Sequence, residues 1–249
     1  MRKKFLKICV FLIISISVVL ISIFFYYYNH ARVHNNRNIQ LQCINMAIHN
    51  HIDATKKFPH HIYDDRHQSS IHSSWRFRNA LFMSYGYGFR EEDRQPIDYE
   101  KNWDDEPNIS FWAPAYNWTG RPKSPKDSKR YWTNVMGITG PDTAFEVQEL
   151  SQLEGCEHLI IVVEVANSGV HWGEPGDIDV NHLPENLTSG IDGNGFMVLF
   201  YDGSVWFIKK EVPLEILKHF LTITEAKEHD RNIELKPYAI VYFDVSNPG

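Results

Sequence analysis

The sequence predicts an α+β protein in which a long N-terminal helix, first transmembrane and then amphipathic, packs on an antiparallel β-sheet. Three observations carry that expectation. Ile8 to Tyr28 is a run of twenty-one residues without a charge. Beyond it, Leu41, Ile44, Ala47, Ile48 and Ile52 fall at helical spacing. From Leu159 onward the chain turns to apolar runs of strand length, two of them joined by Asp-Gly.

The first run matches the ~30 Å hydrocarbon core of a bilayer at the ~1.5 Å rise of a helix. Fourteen of its residues are Ile, Leu, Val or Phe, and at roughly −0.3 to −0.6 kcal/mol each they outweigh Ser15, Ser17 and Ser22. Arg2, Lys3, Lys4 and Lys7 precede the run, while only Arg32 and Arg37 follow closely. Cationic flanks stay in the cytoplasm, so the expected topology is a single-pass inner-membrane protein with its N-terminus in and the rest outside. Tyr26, Tyr27 and Tyr28 would sit at the headgroup layer. A cleaved secretory signal would want a shorter apolar region and small residues at its end, and Phe24 to Tyr28 offers the opposite.

The organisation expected is a cytoplasmic tip and membrane helix over 1–28, an amphipathic extension over 29–57, and an extracytoplasmic domain over 58–249. The extension should bury its stripe against that domain, and Lys57-Phe58-Pro59 ends it. Trp75 to Phe89 reads as a short helix around Phe77, Leu81 and Phe82, stopped by Gly86 and Gly88. Gly120 to Arg130 is a polar, turn-rich loop with five cations. Leu159 to Val165 is continuous and apolar, hence a central strand. Phe196 to Phe200 and Val205 to Ile208 flank Tyr201-Asp202-Gly203-Ser204, a hairpin signal because Asp and Gly tolerate φ > 0. Pro213 to Leu221 reads as a short helix with Pro in its first turn, followed by a charged link and a closing strand from Tyr238 to Val245.

The formal charge is −6, which provides no basic field, so nucleic acid is excluded as a partner and the lipid bilayer, through residues 8–28, is the partner expected. Candidate sites are few. Tyr99, Trp103, Phe111, Trp112, Tyr116 and Trp118 crowd into twenty residues. Of these, Trp103, Trp112, Tyr116 and Trp118 are candidates for stacking on the apolar face of a sugar ring, although such rings more often fill a core. Glu164, Glu174, Asp177 and Asp179 offer the oxygen ligands that Ca²⁺ takes, and Glu174, Asp177 and Asp179 are the candidate set, although without EF-hand spacing such a loop is more often simply solvated. No other cofactor is expected. His49 and His51 cannot share an ion on a helix, where i and i+2 point about 200° apart. Cys43 and Cys156 are a candidate disulfide, with two free thiols the alternative. No Gly-x-Ser-x-Gly elbow, phosphate-binding Gly loop or His-Glu-x-x-His is present. An enzyme is therefore not expected, and a hydrolase is the least favoured reading.

Five stretches, in order, carry a resemblance. They are Gln42 to Asn50 with Phe58-Pro59, Ser74-Trp75-Arg76, Gly137 to Phe145, Val163 to Ser168 with Trp172 to Pro175, and Val198 to Phe207. With the cationic start and two-part helix, they make the chain similar to type IV pilins and the pseudopilins of type II secretion, and more specifically to a large planctomycete family of pilin-like proteins. The resemblance implies a long helix on an antiparallel sheet, and a structural or assembly role with pilin-like or envelope protein partners. It also implies cleavage by prepilin peptidase, although Lys4 stands before Phe5 where the family has Gly, and Cys9 occupies the place of its helix glutamate. The alternative function is a membrane-tethered glycan-binding module.

Overall fold

The computed structural model of the chain describes residues 2–60, 62–64, 72–83, 97–110, 113, 116, 118 and 131–245. Side chains of 2–14, 26, 29, 30, 62–64 and 72 are not among the described ones. The chain divides into two compact units, 1–37 and 38–249.

Helix α1 spans Arg2–Thr55. In the first unit its residues from Ile16 to Phe25, with Tyr27 and Tyr28, are all exposed, the large apolar ones to 46–67%. Ser22 Oγ donates to the Val18 carbonyl one turn back at 2.9 Å, so its hydroxyl is satisfied within the helix. Among the described residues no helix is long and apolar enough to cross a membrane. Ile8 to Ile14, the first seven of the charge-free run, have no described side chain.

The second unit is α+β. Among the described residues its sheet has six strands: β3 (Val135–Thr139), β4 (Ile160–Glu164), β5 (Ile178–Asp179), β6 (Gly195–Phe200), β7 (Val205–Lys209) and β8 (Ala239–Phe243), in the order β5-β3-β4-β6-β7-β8. The expected all-antiparallel sheet needs one correction, because β5 pairs parallel to β3, Ile138 opposite Ile178. A parallel neighbour needs a long crossover, and the excursion through β4 and the loop after it supplies one. Two further strands, β1 (Ile62–Asp64) and β2 (His72–Ser74), form a separate antiparallel pair.

Strand alternation sorts the core into two layers. Met197, Leu199, Val205 and Phe207 face one way, where they join Leu41, Ile44 and Ile48 of α1 and the rings of Trp75, Phe77 and Trp172. Phe196, Val198, Phe200, Trp206 and Ile208 face the other, against Leu217, Phe220, Leu221 and Leu235. The period of two explains the sorting. In β4, however, Ile161 and Val162 lie in the same layer, because the register shifts between Ile160 and Val162, a bulge that adds one residue. Each fully buried aliphatic of the α1 stripe is worth about 1.5–3 kcal/mol, enough to fasten residues 38–55 of the helix to the sheet.

The expected hairpin forms as β6 and β7, with Phe196 opposite Ile208. Its turn is held by Asp202, whose carboxylate accepts from the Ser204 amide at 2.8 Å and hydroxyl at 2.9 Å. The helix expected from Trp75 is α2 (Trp75–Asn79), continued by a 3₁₀ turn to Phe82; its N-cap is Ser74, whose hydroxyl accepts from Phe77 N. The helix expected from Pro213 is α3 (Leu214–Lys218). The charged link after it is not a plain link: it folds as α4 (Ile223–Glu228) and α5 (Arg231–Glu234). Buried Arg231 explains why. Its guanidinium lies 4.4 Å over Phe200 and 5.1 Å from Trp206, and donates to Asp202 and to the Glu157 carbonyl, docking α5 onto the hairpin.

Candidate functional site

The site is built on the Ser74-Trp75-Arg76 step at the start of α2. Arg76 is fully buried and forks into the loop that precedes β5. Its guanidinium donates to the carbonyls of Trp172 (3.0 Å), Glu174 (2.8 Å) and Gly176 (3.0 Å), and pairs with Asp177 at 2.6 Å. Asp177 Oδ1 also accepts from Trp75 Nε1 at 3.1 Å and from the Gly137 amide at 2.7 Å. Five arginine N–H groups in one plane suit such a set of convergent oxygens, where a lysine would reach one or two.

The loop so fixed presents His171 and Glu174. Trp132 bridges to His171, and the Trp172 amide donates to the Tyr131 carbonyl at 2.9 Å, so two aromatic neighbours stand beside the histidine. From the opposite side comes the loop 97–110, tied by buried Asn108: its side chain accepts from the Asp98 amide and donates to the Asp98 and Asn102 carbonyls at 2.8–2.9 Å. Close approach between the loops depends on Gly173, where a Cβ would stand 3.0 Å from Trp103 Cβ. Between them lies a cleft of about 320 Å³ lined by Trp103, Glu106, Ile109, Ser110, Tyr131, Trp132, Gly169, His171 and Glu174.

His171 is the hinge of this cleft. The Gly173 amide donates to its Nδ1 at 3.1 Å, which leaves the proton on Nε2, and Nε2 donates to the Ile109 carbonyl at 3.2 Å. Burial lowers its pKa to about 4, and the Arg76 charge adds to that, against the opposing pull of the Ile109 carbonyl. Its ring stacks near Trp103 (5.1 Å) and Tyr131 (5.7 Å). With both nitrogens engaged it ties the two loops together. Of the carboxylates, Glu174 accepts from the His171 amide at 3.0 Å and exposed Glu106 accepts from Ser110 Oγ at 2.9 Å.

Of the four rings expected to bind a sugar, three are among the described residues, and of these only Trp103 lines the cleft. Tyr116 is fully buried, stacked 5° from parallel with Trp172 and edge-on to Trp75, and burial pushes its hydroxyl far above the ordinary tyrosine range. Trp118 packs against the core with its amide on Asn134. Trp112 lies outside the described residues, as does the cationic loop 120–130. Tyr131 and Trp132 were not singled out from the sequence; the aromatic doublet directly after the cationic loop was the available signal.

The candidate calcium carboxylates go separate ways. Asp177 is taken by Arg76, Glu174 by the His171 amide, and Asp179 by the Asn181 amide and His182 Nδ1, both at 2.9 Å. Buried Glu164 accepts from the Ile191 and Met197 amides at 2.9 and 3.1 Å. Among the described residues, the group of His, Cys, Asp or Glu close enough to hold one ion is another: His219, His229 and Glu234. Cys43 and Cys156 are both free thiols, and burial raises the pKa of each.

Comparison with protein-family models, curated proteins and solved structures returns no match.

Proposed function

We propose that this chain is a single-pass membrane protein, N-terminus in the cytoplasm, that presents an outer α+β domain of pilin-like build in a structural or assembly role. The observation that carries the reading is the contrast along α1. From Ile16 to Phe25 every helical face exposes apolar surface, whereas Leu41, Ile44 and Ile48 are buried in the second unit. Ten residues cover almost three turns, so no single protein surface can shield the first stretch, and lipid can. Mass spectrometry of the N-terminus of the protein taken from its native membrane tests the reading. Intact Met1 in the carbonate-resistant membrane fraction supports a permanent anchor, and a start at Phe5 supports prepilin-type processing and assembly. Recovery in the soluble fraction overturns the anchor.

The cleft favours a second reading, a tethered module for a sugar. Trp103, Tyr131 and Trp132 supply apolar planes, and Glu106 and Glu174 supply acceptors for hydroxyl groups. Oligosaccharides should quench tryptophan fluorescence of the folded chain, and Trp132→Ala should reduce that quenching at least tenfold in concentration. Quenching unchanged by the substitution would refute it.

A further inference from the structure

We propose that His219, His229 and Glu234 form a site for one divalent transition-metal ion of the Zn²⁺ class, clipping three helix ends together. His219 is the C-cap of α3, His229 the C-cap of α4, and Glu234 the last residue of α5. No helix continues past them, so the backbone delivers three donors from separate elements to one point. One oxygen of Glu234 lies 2.8 Å from His219 Nδ1 and the other 2.7 Å from His229 Nδ1. All three ligand atoms lie within 4.8 Å of one another.

Two imidazoles and a carboxylate are a donor set that Zn²⁺ takes readily, at about 2.0–2.2 Å per ligand. Donors at that radius on a tetrahedron stand about 3.3 Å apart, so replacing the two shared protons by an ion asks each contact to widen by about half an ångström. The rings lie 3.7 Å apart and 18° from parallel, which sets their lone pairs side by side. One ring therefore turns about χ2, a broad torsion in histidine, for both to meet one ion. The side chains of His219 and His229 are 32% and 26% exposed, which allows both that turn and entry of the ion. Glu225, 3.5 Å from His229 Nε2, would hold that ring from its other nitrogen, the usual place of an outer carboxylate at a metal-bound histidine.

The test uses the full chain in detergent, stripped with chelator and titrated with Zn²⁺ against a chromophoric competitor. Because the chain has thirteen histidines, the reading is the difference between wild type and His229→Ala. Wild type should hold one more equivalent, and Zn²⁺ should raise the melting temperature of wild type but not of the variant. Equal stoichiometry in a variant with native circular dichroism overturns the proposal. Where that variant does not fold, Co²⁺ added to wild type decides: visible d–d bands of a low-coordinate site support it, and their absence overturns it.

Discussion

Replacing Arg76 by Met should cost this domain about 3–5 kcal/mol. The side chains of Arg76 and Asp177 are 0% and 1% exposed, so the substitution leaves a carboxylate in the interior without its counter-charge. Asp177 keeps the Trp75 and Gly137 donors on Oδ1, but among the described residues its Oδ2 has no hydrogen-bond partner. The carbonyls of Trp172, Glu174 and Gly176 lose a donor in the same step. For a unit of this size one kcal/mol moves the midpoint by about 2–4 °C, so thermal unfolding followed by tryptophan fluorescence should shift down by about 6–20 °C. Arg76→Lys should recover little, because an ammonium cannot span the four acceptors. Arg76→Met combined with Asp177→Leu should be more stable than Arg76→Met alone, since no buried charge is then left unpaired. A midpoint lowered by less than about 2 °C in Arg76→Met, or a double variant no better than the single one, would refute the assignment of Arg76 as the anchor of the loop.

Two further outcomes are expected. Gly203→Ala should destabilise by about 1–2 kcal/mol in the same melt, because Gly203 has φ +92° and the added Cβ would stand 2.5 Å from Asn45 Nδ2 on α1; an unchanged midpoint would show that the hairpin turn relaxes freely. His171 has its folded pKa lowered from 6.5 to about 4, so the unfolded chain takes up its proton first as pH falls. Its contribution is complete above pH 6.5 and is lost progressively down to about pH 4, by up to about 3 kcal/mol. His171→Gln should therefore flatten the fall in stability between pH 7 and pH 4.5, and parallel profiles for variant and wild type would contradict the burial of a neutral imidazole.

What was legible in the sequence was local. The hairpin could be read because Asp202-Gly203 settles a turn within four residues, and the α1 stripe because Leu41, Ile44 and Ile48 repeat at the helical period. Strand β3 escaped because Gly137 interrupts its apolar pattern. The interruption has a tertiary cause: a Cβ there would stand 2.8 Å from the ring of Phe145. Helices α4 and α5 escaped because each is too short to show a period, and buried Arg231 reads as surface charge until its partners Asp202 and Glu157 are seen. The pairing of Arg76 with Asp177 spans 101 positions, and no local pattern announces it. For the same reason the acidic loop looked like a set of cation ligands: spacing showed the carboxylates, and only the fold shows that each already has a donor.

Arg76 also connects stability to the cleft. The carbonyls it grips, of Trp172, Glu174 and Gly176, flank Gly173 and Pro175, and the position of that loop decides where His171 stands. His171 in turn reaches across to the Ile109 carbonyl and packs beside Trp103, so the opposite wall of the cleft rests on the same anchor. Nothing in this chain of contacts needs the arginine to touch a ligand. If the cleft takes a sugar as proposed, Arg76→Met held well below its melting point should therefore weaken sugar-dependent quenching as Trp132→Ala does, although one residue is buried behind the loop and the other lines the cleft. Full quenching in the folded Arg76→Met variant would mean that the Trp103 and Trp132 walls are set by something other than the buried guanidinium.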